Sequence, residues 1–167
     1  RMGDAQNLLS SQELIEALND PSFNVRYEAI HSIGRLPPEP KLVEALVASL
    51  QEGQSELSFV IIQALGRLGG RQAIEPLREL LDSDYHLVAA HSARALARLG
   101  DTASIPRLLA KFKSESNDIL RIAYASALGS LGCTEALAEI IELLRQTPGE
   151  TQRGEIGLAL ARIAGDE

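Results

Sequence analysis

The chain repeats one phrase five times at a spacing of 31 or 32 residues, never identically. The copies read NVRYEAIHSIGRL from Asn24, ELSFVIIQALGRL from Glu56, LVAAHSARALARL from Leu87, ILRIAYASALGSL from Ile119 and TQRGEIGLALARI from Thr151. Aligned on their last apolar residue (Leu36, Leu68, Leu99, Leu131 and Ile163), they step by 32, 31, 32 and 32 residues. A unit this short cannot bury its own apolar face, so a fixed period of this size requires neighbours stacked around one continuous core. A single elongated domain is expected, and stacked units of this kind offer extended surfaces for binding.

Within each phrase, apolar or small residues recur as in Val25, Ala29, Ile33 and Leu36, or Leu120, Tyr124, Leu128 and Leu131. That is the 3.6-residue period of a helix buried along one side. An earlier helix in each unit is read from Ile74, Leu77 and Leu81, from Ile105, Leu108, Leu109 and Phe112, and from Leu137, Ile140, Ile141 and Leu144. Pro76 and Pro106 fall early in these helices, where a missing N–H costs little because first-turn donors have no intrahelical partner. Composition agrees: 45% of residues are hydrophobic but only 4% aromatic, which favours helix over sheet.

Between the units lie Leu36-Pro37-Pro38-Glu39-Pro40, Gly69-Gly70, Gly100-Asp101 and Gly132-Cys133. Glycine directly after a last apolar residue suits a left-handed helix C-cap. A column of small residues, Gly34, Gly66, Ala97, Gly129 and Ala161, precedes each terminal Leu or Ile by two positions. Glycine inside a helix costs about 1 kcal/mol relative to alanine, so three at one register predict a helix contact too close for a side chain. The predicted fold is all-α, an alpha-alpha superhelix of five two-helix repeats at about 10–36, 37–68, 69–99, 100–131 and 132–165, all within one domain spanning 1–167.

The stretch Leu18-Asn19-Asp20-Pro21-Ser22-Phe23-Asn24-Val25-Arg26, with Ala29 and the Ile33-Gly34-Arg35-Leu36 ending, resembles the HEAT-like repeat of the phycobilisome lyase class. The resemblance covers all five units, from about Ser10 to Gly165. It implies a HEAT-type solenoid whose second helices line the concave face. It does not imply one activity, because that repeat occurs in bilin lyases, hydroxylases, accessory domains of enzymes and scaffolds. The Val-Arg pair of the resemblance survives as Val25-Arg26 and loosely as Leu120-Arg121 and Gln152-Arg153, but becomes Leu57-Ser58 and Val88-Ala89 in the middle. Asp118 and Glu150, three residues before Arg121 and Arg153, offer local ion pairs. The hydroxylases with this repeat hold two irons through His-Glu pairs, whereas here His31 precedes Ser32, His86 precedes Leu87 and His91 precedes Ser92.

Catalytic chemistry has little to stand on. The chain lacks a Gly-rich phosphate loop after a strand, a Gly-x-Ser-x-Gly turn and a His-Glu-x-x-His pair. His86 and His91 are five residues apart, about 140° around a helix, and so do not face one ligand. Neither a metal nor any other cofactor is predicted. Cys133 is the only cysteine, which leaves no disulfide framework, and its place after Gly132 reads as a small loop or helix-start residue. The net charge of -7 opposes a nucleic-acid backbone, and no apolar run is long enough to span a bilayer. A soluble chain in a cytoplasmic setting is the default expectation. Ala164-Gly165-Asp166-Glu167 resembles the start of another unit, so the chain reads as a fragment, and Arg1-Met2-Gly3 reads as foreign to it.

The positions of the second helices that point away from the core carry the functional expectation. They comprise Glu28, His31 and Arg35, then Gln63 and Arg67, then His91, Arg94 and Arg98, with Glu155 and Arg162 in the last unit. The candidate partner-binding residues are His31, Arg35, Gln63, Arg67, His91, Arg94 and Arg98, a basic cluster on an acidic protein. Arg35, Arg67, Arg98 and Arg162 are also expected in last helical turns, where a cation meets the negative end of the helix dipole for about 0.3 to 1 kcal/mol. Arg94 and His91 sit earlier and escape that explanation. Tyr27, Phe59 and Ile122 share a neighbouring column, open to either a core or a groove role. The leading expectation is a non-enzymatic scaffold binding an acidic or carboxylate-bearing segment of another protein. The alternatives are a bilin lyase or lyase-like chaperone subunit, and a soluble regulatory domain of a larger membrane or enzyme chain.

Overall fold

The computed structural model describes residues 10–51 and 56–165. These form five helix pairs, and no strand occurs among the described residues. The first helices are α1 (Ser11–Ala17), α3 (Pro40–Gln51), α5 (Ile74–Glu79), α7 (Ile105–Ser114) and α9 (Leu137–Gln146). The second helices are α2 (Phe23–Ile33), α4 (Ser58–Leu68), α6 (His86–Arg98), α8 (Asp118–Ser130) and α10 (Glu150–Ala164). The all-α superhelix of paired helices therefore stands. Asp166 and Glu167, read above as the opening of a further unit, and Arg1, Met2 and Gly3 lie outside the described residues.

Local chemistry sets the helix ends. Ser10 and Glu13 cap α1 reciprocally: the Glu13 N–H donates to Ser10 Oγ at 3.2 Å and the Ser10 N–H to Glu13 Oε2 at 2.7 Å. The Asn117 side chain accepts from the N–H groups of Ile119 and Leu120 at the start of α8. Pro40 opens α3 and Pro106 is the second residue of α7, where neither breaks a hydrogen bond. At Gly100 and Gly132 the chain turns with φ of 69°. There the Asp101 N–H reaches back to the Leu96 carbonyl at 3.0 Å and the Cys133 N–H to that of Leu128 at 2.9 Å. This closing loop satisfies carbonyls left over at the helix end, and its left-handed residue favours glycine. Cys133 is buried there.

One core runs the length of the stack, with Ile33, Leu46, Ile61, Leu65, Leu77, Leu96, Leu108, Leu128 and Ile140 buried along it. Two stripe assignments shift. Leu137 is exposed, and α9 instead buries Ile140 and Leu143. Val25 is also exposed, lining an open hollow with Leu14 and Ala17 of α1, while Ala29, Ile30 and Ile33 carry the burial of α2.

The small-residue column does what its register predicts. A Cβ built on Gly129 would stand 2.6 Å from both Cα and Cβ of Ala159 in the next second helix. Gly34 and Gly66 meet Ala64 and Ala95 in the same way, at 3.0 Å. Consecutive second helices thus pack backbone to backbone, α2 on α4, α4 on α6, α6 on α8 and α8 on α10. The first helices α3, α5, α7 and α9 rest mainly on the second helix of their own pair. A stack whose two rows are spaced unequally must bend toward the tighter row, so the second helices lie on the inside of the curve.

Candidate partner-binding groove

Because the repeat register is nearly constant, each position of the phrase draws a line across the inner face. One line runs His31, Gln63, Arg94, Ser126, Leu158. The line three residues earlier runs Glu28, Val60, His91, Ala123, Glu155, and the line four residues later runs Arg35, Arg67, Arg98, Ser130, Arg162. Three adjoining hollows follow these lines. The first, about 190 Å³, is lined by Tyr27, His31, Phe59, Gln63 and Arg67 among others. The second, about 290 Å³, is lined by Gln63, Arg67, His91, Arg94, Arg98 and Glu155 together with Ala95. The third, also about 290 Å³, continues from Arg94, Arg98 and Glu155 to Ser126, Leu158 and Arg162. Shared walls make them one groove.

The groove changes character along its length. In the first hollow Tyr27 stacks on His31 with ring centroids 6.4 Å apart and planes 7° apart, and Phe23 stacks on Tyr27 in turn. Phe59 stands 42% exposed and tilts against His91 at 6.1 Å, joining the aromatic part to the arginines. Ile122, in the same column as Phe59, is 6% exposed and belongs to the core. The column that the sequence left open is therefore split between both roles.

Arg94 has a partner that the sequence did not reveal. Its Nε and Nη2 both donate to Oε1 of Glu155, at 3.1 and 2.7 Å, although the two residues are 61 positions apart in the chain. Arg94 projects from α6 and Glu155 from α10, and α8 packs between those helices. The pair passes over α8 at Ser126, whose small side chain lines the same hollow. A contact that skips a whole repeat is favoured on the inside of a curve, in keeping with the side to which the closely packed second helices bend the stack. The side chains remain 31% and 34% exposed, so the pair contributes about 1 kcal/mol or less.

His91, half-buried, lines the second hollow with this pair, and the Gln63 amide nitrogen lies 3.4 Å from its Nδ1. Burial, and then the positive charges of Arg94 and Arg98, hold its pKa below the usual imidazole range. At neutral pH it is therefore an uncharged ring able to accept or donate one hydrogen bond.

The arginine line divides as well. Arg67, Arg98 and Arg162 occupy the last turns of α4, α6 and α10, as expected for cations at the negative ends of helix dipoles. Arg162 also donates to Ser130 Oγ at 3.0 Å, bridging the one gap in the line. Arg35 departs from the expectation. Helix α2 ends at Ile33, Arg35 lies in the turn beyond it, and it lines none of the three hollows. The physical reason is the early end of α2 before Pro37 and Pro38, which cannot continue a helix.

The Val-Arg arginines lie elsewhere and tie loops. Arg26 donates to the carbonyls of Asp20 and Pro21, at 2.8 and 3.1 Å. Arg153 donates to those of Leu144 and Thr147, at 2.8 and 3.2 Å, in place of the expected pair with Glu150. Arg121 does approach Asp118, at 4.0 Å. His86, at the start of α6, lies on the surface with Asn117 Nδ2 2.9 Å from its Nδ1. Among the described residues no three His, Cys, Asp or Glu side chains converge, and no helix is long and apolar enough to cross a membrane.

A family model described as HEAT repeats matches residues 11–97, 55–129 and 86–161, so that its matches run through all five units. The chain belongs to the HEAT-repeat family. This HEAT-repeat chain is 34% identical, over 134 residues, to the phycocyanobilin lyase subunit alpha of Picosynechococcus sp., covering 69% of this chain and 50% of that protein. It is 29% identical, also over 134 residues, to a HEAT repeat-containing taxis protein of Halobacterium salinarum, covering 76% of this chain and 33% of that protein. The lyase-class resemblance read from the Leu18 to Leu36 stretch is thus met by a lyase subunit among its relatives. The chain spans half or less of the length of these curated relatives.

Proposed function

We propose that this chain is a non-enzymatic interaction scaffold whose concave groove holds an acidic segment of a partner protein. The observation that carries the reading is the second hollow, where Arg67, Arg94 and Arg98 gather round one cavity with His91 and a single carboxylate, Glu155, on a chain whose net charge is -7. Three guanidinium groups against one carboxylate leave the hollow net positive, and an incoming carboxylate offsets that excess while gaining charge-assisted hydrogen bonds. Tyr27, His31 and Phe59 next door suit an apolar side chain of the same segment. HEAT solenoids offer such extended concave surfaces in general.

The test uses a fluorescein-labelled hexaglutamate peptide and fluorescence anisotropy. Reversing Arg67→Glu together with Arg98→Glu weakens its binding about tenfold or more, with little change in melting temperature. Arg94 is left out of this pair because its reversal would set a carboxylate directly against that of Glu155. Unchanged binding would sink the groove assignment.

A second reading, a bilin lyase or lyase-like chaperone subunit, is favoured by the 34% identity to a phycocyanobilin lyase subunit. Incubation with bilin and an apo-phycobiliprotein, followed by absorption spectra, tests it. A spectrum with no bound or transferred chromophore rejects it.

A further inference from the structure

The groove already contains one carboxylate, and its setting says what belongs there. We propose that the seat of the Glu155 carboxylate on Arg94 is the subsite for a carboxylate of the partner segment, and that Glu155 is a resident competitor which the ligand displaces. This rests on the reading of the groove as a site for acidic segments and names the position at which that segment is gripped.

Four features of the contact support displacement over a structural clamp. The pair bridges an open hollow above Ser126 and does not sit in a packed interface, and both side chains are about a third exposed. Arg94 directs Nε and Nη2 at the same oxygen, Oε1. An external carboxylate free to align with the guanidinium engages both of its oxygens in two parallel bonds, a stronger arrangement. Glu155 also stands at the open side of α10, although the helix itself is held to α8 by the buried Ile156 and Ala159. A Cβ added at Gly154 or Gly157 would meet nothing within 4 Å, so the surface beside Glu155 leaves its side chain room to swing aside.

The surroundings favour a replacement carboxylate as well. Arg98 lines both hollows that contain Glu155, and Arg67 and His91 line one of them. A ligand at this seat therefore gains cations that a side chain anchored on α10 meets from one side only. Once displaced, Glu155 still has Arg162, which lines the third hollow with it. Opening the pair thus leaves no carboxylate without a cation near it.

The experiment measures hexaglutamate binding to the full chain and to Glu155→Gln, Glu155→Asp and Glu155→Gln/Arg94→Gln. Glu155→Gln tightens binding about two- to fivefold, the fold-change equivalent of an exposed ion pair. Glu155→Asp, which keeps the charge but shortens the reach to Arg94, tightens it in the same direction by less. In the double variant the gain disappears, because the grip of Arg94 on the peptide goes with it. Equal or weaker binding by Glu155→Gln overturns the inference and makes the pair a clamp that shapes the groove. If the Arg67→Glu/Arg98→Glu variant loses binding while Glu155→Gln gains none, the groove stands and only the displacement fails. If the peptide binds no form of the chain, both readings fall.

Discussion

Between α2 and α4 the inner wall of the stack carries Tyr27, His31 and Phe59, while from α6 to α10 the corresponding stretch carries Arg94, Arg98, Glu155 and Arg162. The two halves share a backbone register, the same glycine-on-alanine helix contact and the same arginine position at the helix end. They differ in chemistry and in how tightly the helices meet. The Gly129 contact leaves 2.6 Å for a Cβ where that of Gly34 leaves 3.0 Å. The lesson is that the repeat provides a curved platform and the non-repeating positions write a gradient on it, from stacked rings at one end to paired charges at the other.

The sharpest way to break the comparison is to fill the two contacts. Gly129→Ala forces a methyl group into Ala159 and costs about 2 kcal/mol, a drop of about 4 to 8 °C in melting temperature. Gly34→Ala has more space and, as the C-cap of α2 at φ -64°, takes a conformation open to alanine while restricting the unfolded chain, so its cost stays below about 1 kcal/mol. Equal losses in calorimetry would mean that the halves are not packed differently. Next in size is the contrast in binding. Set beside the tenfold loss from the double arginine reversal, Phe59→Ala should weaken hexaglutamate binding by no more than about two- to threefold, because the peptide offers nothing to an aromatic wall. A larger effect at Phe59 would erase the division into an aromatic and an ionic half.

The seam between the halves, α6, supplies two smaller tests. Ser92 is fully buried and its Oγ has no hydrogen-bond partner among the described residues. Replacing Ser92 with alanine removes that unsatisfied hydroxyl and should raise stability by about 1 kcal/mol in urea unfolding. A loss instead would indicate that the hydroxyl is held by a contact important to the seam. For His91, burial and the nearby Arg94 and Arg98 depress the folded-state pKa, with the Glu155 carboxylate in the same hollow bonded to Arg94. The unfolded chain then takes up the proton first as pH falls. His91 contributes its stability in full above the usual imidazole range and loses it as pH drops toward the folded pKa. Urea unfolding between about pH 7.5 and 5.5 should therefore slope less in His91→Gln than in the parent chain, and identical slopes would remove His91 from the account.

Much of this architecture was legible in the chain. The period of the phrase marked the second helices, the prolines and glycines marked starts and stops, and the Gly34, Gly66 and Gly129 register announced a close contact. The partner column Ala64, Ala95 and Ala159 was not read, because alanine is too common in helices for its spacing to stand out. The groove was legible in outline, since His31, Gln63, Arg67, His91, Arg94 and Arg98 all line it. Arg35 was misplaced because the end of α2 before two prolines was read one turn too late. Phe59 and Ile122 were indistinguishable because one column meets groove or core depending on how each helix is rolled in the stack.

The sequence by itself determined the number of units, their helical nature and most of the apolar stripe of each helix, because these depend on local propensity and on a period within one repeat, whereas the roll that exposes Val25 and Leu137 was left to packing. Only the tertiary structure decided that Arg94 meets Glu155 across an intervening helix. That contact depends on curvature, which accumulates from small differences between row spacings at every junction and leaves no mark at any single residue. The groove's most informative pair is for that reason the one that no spacing in the chain announces.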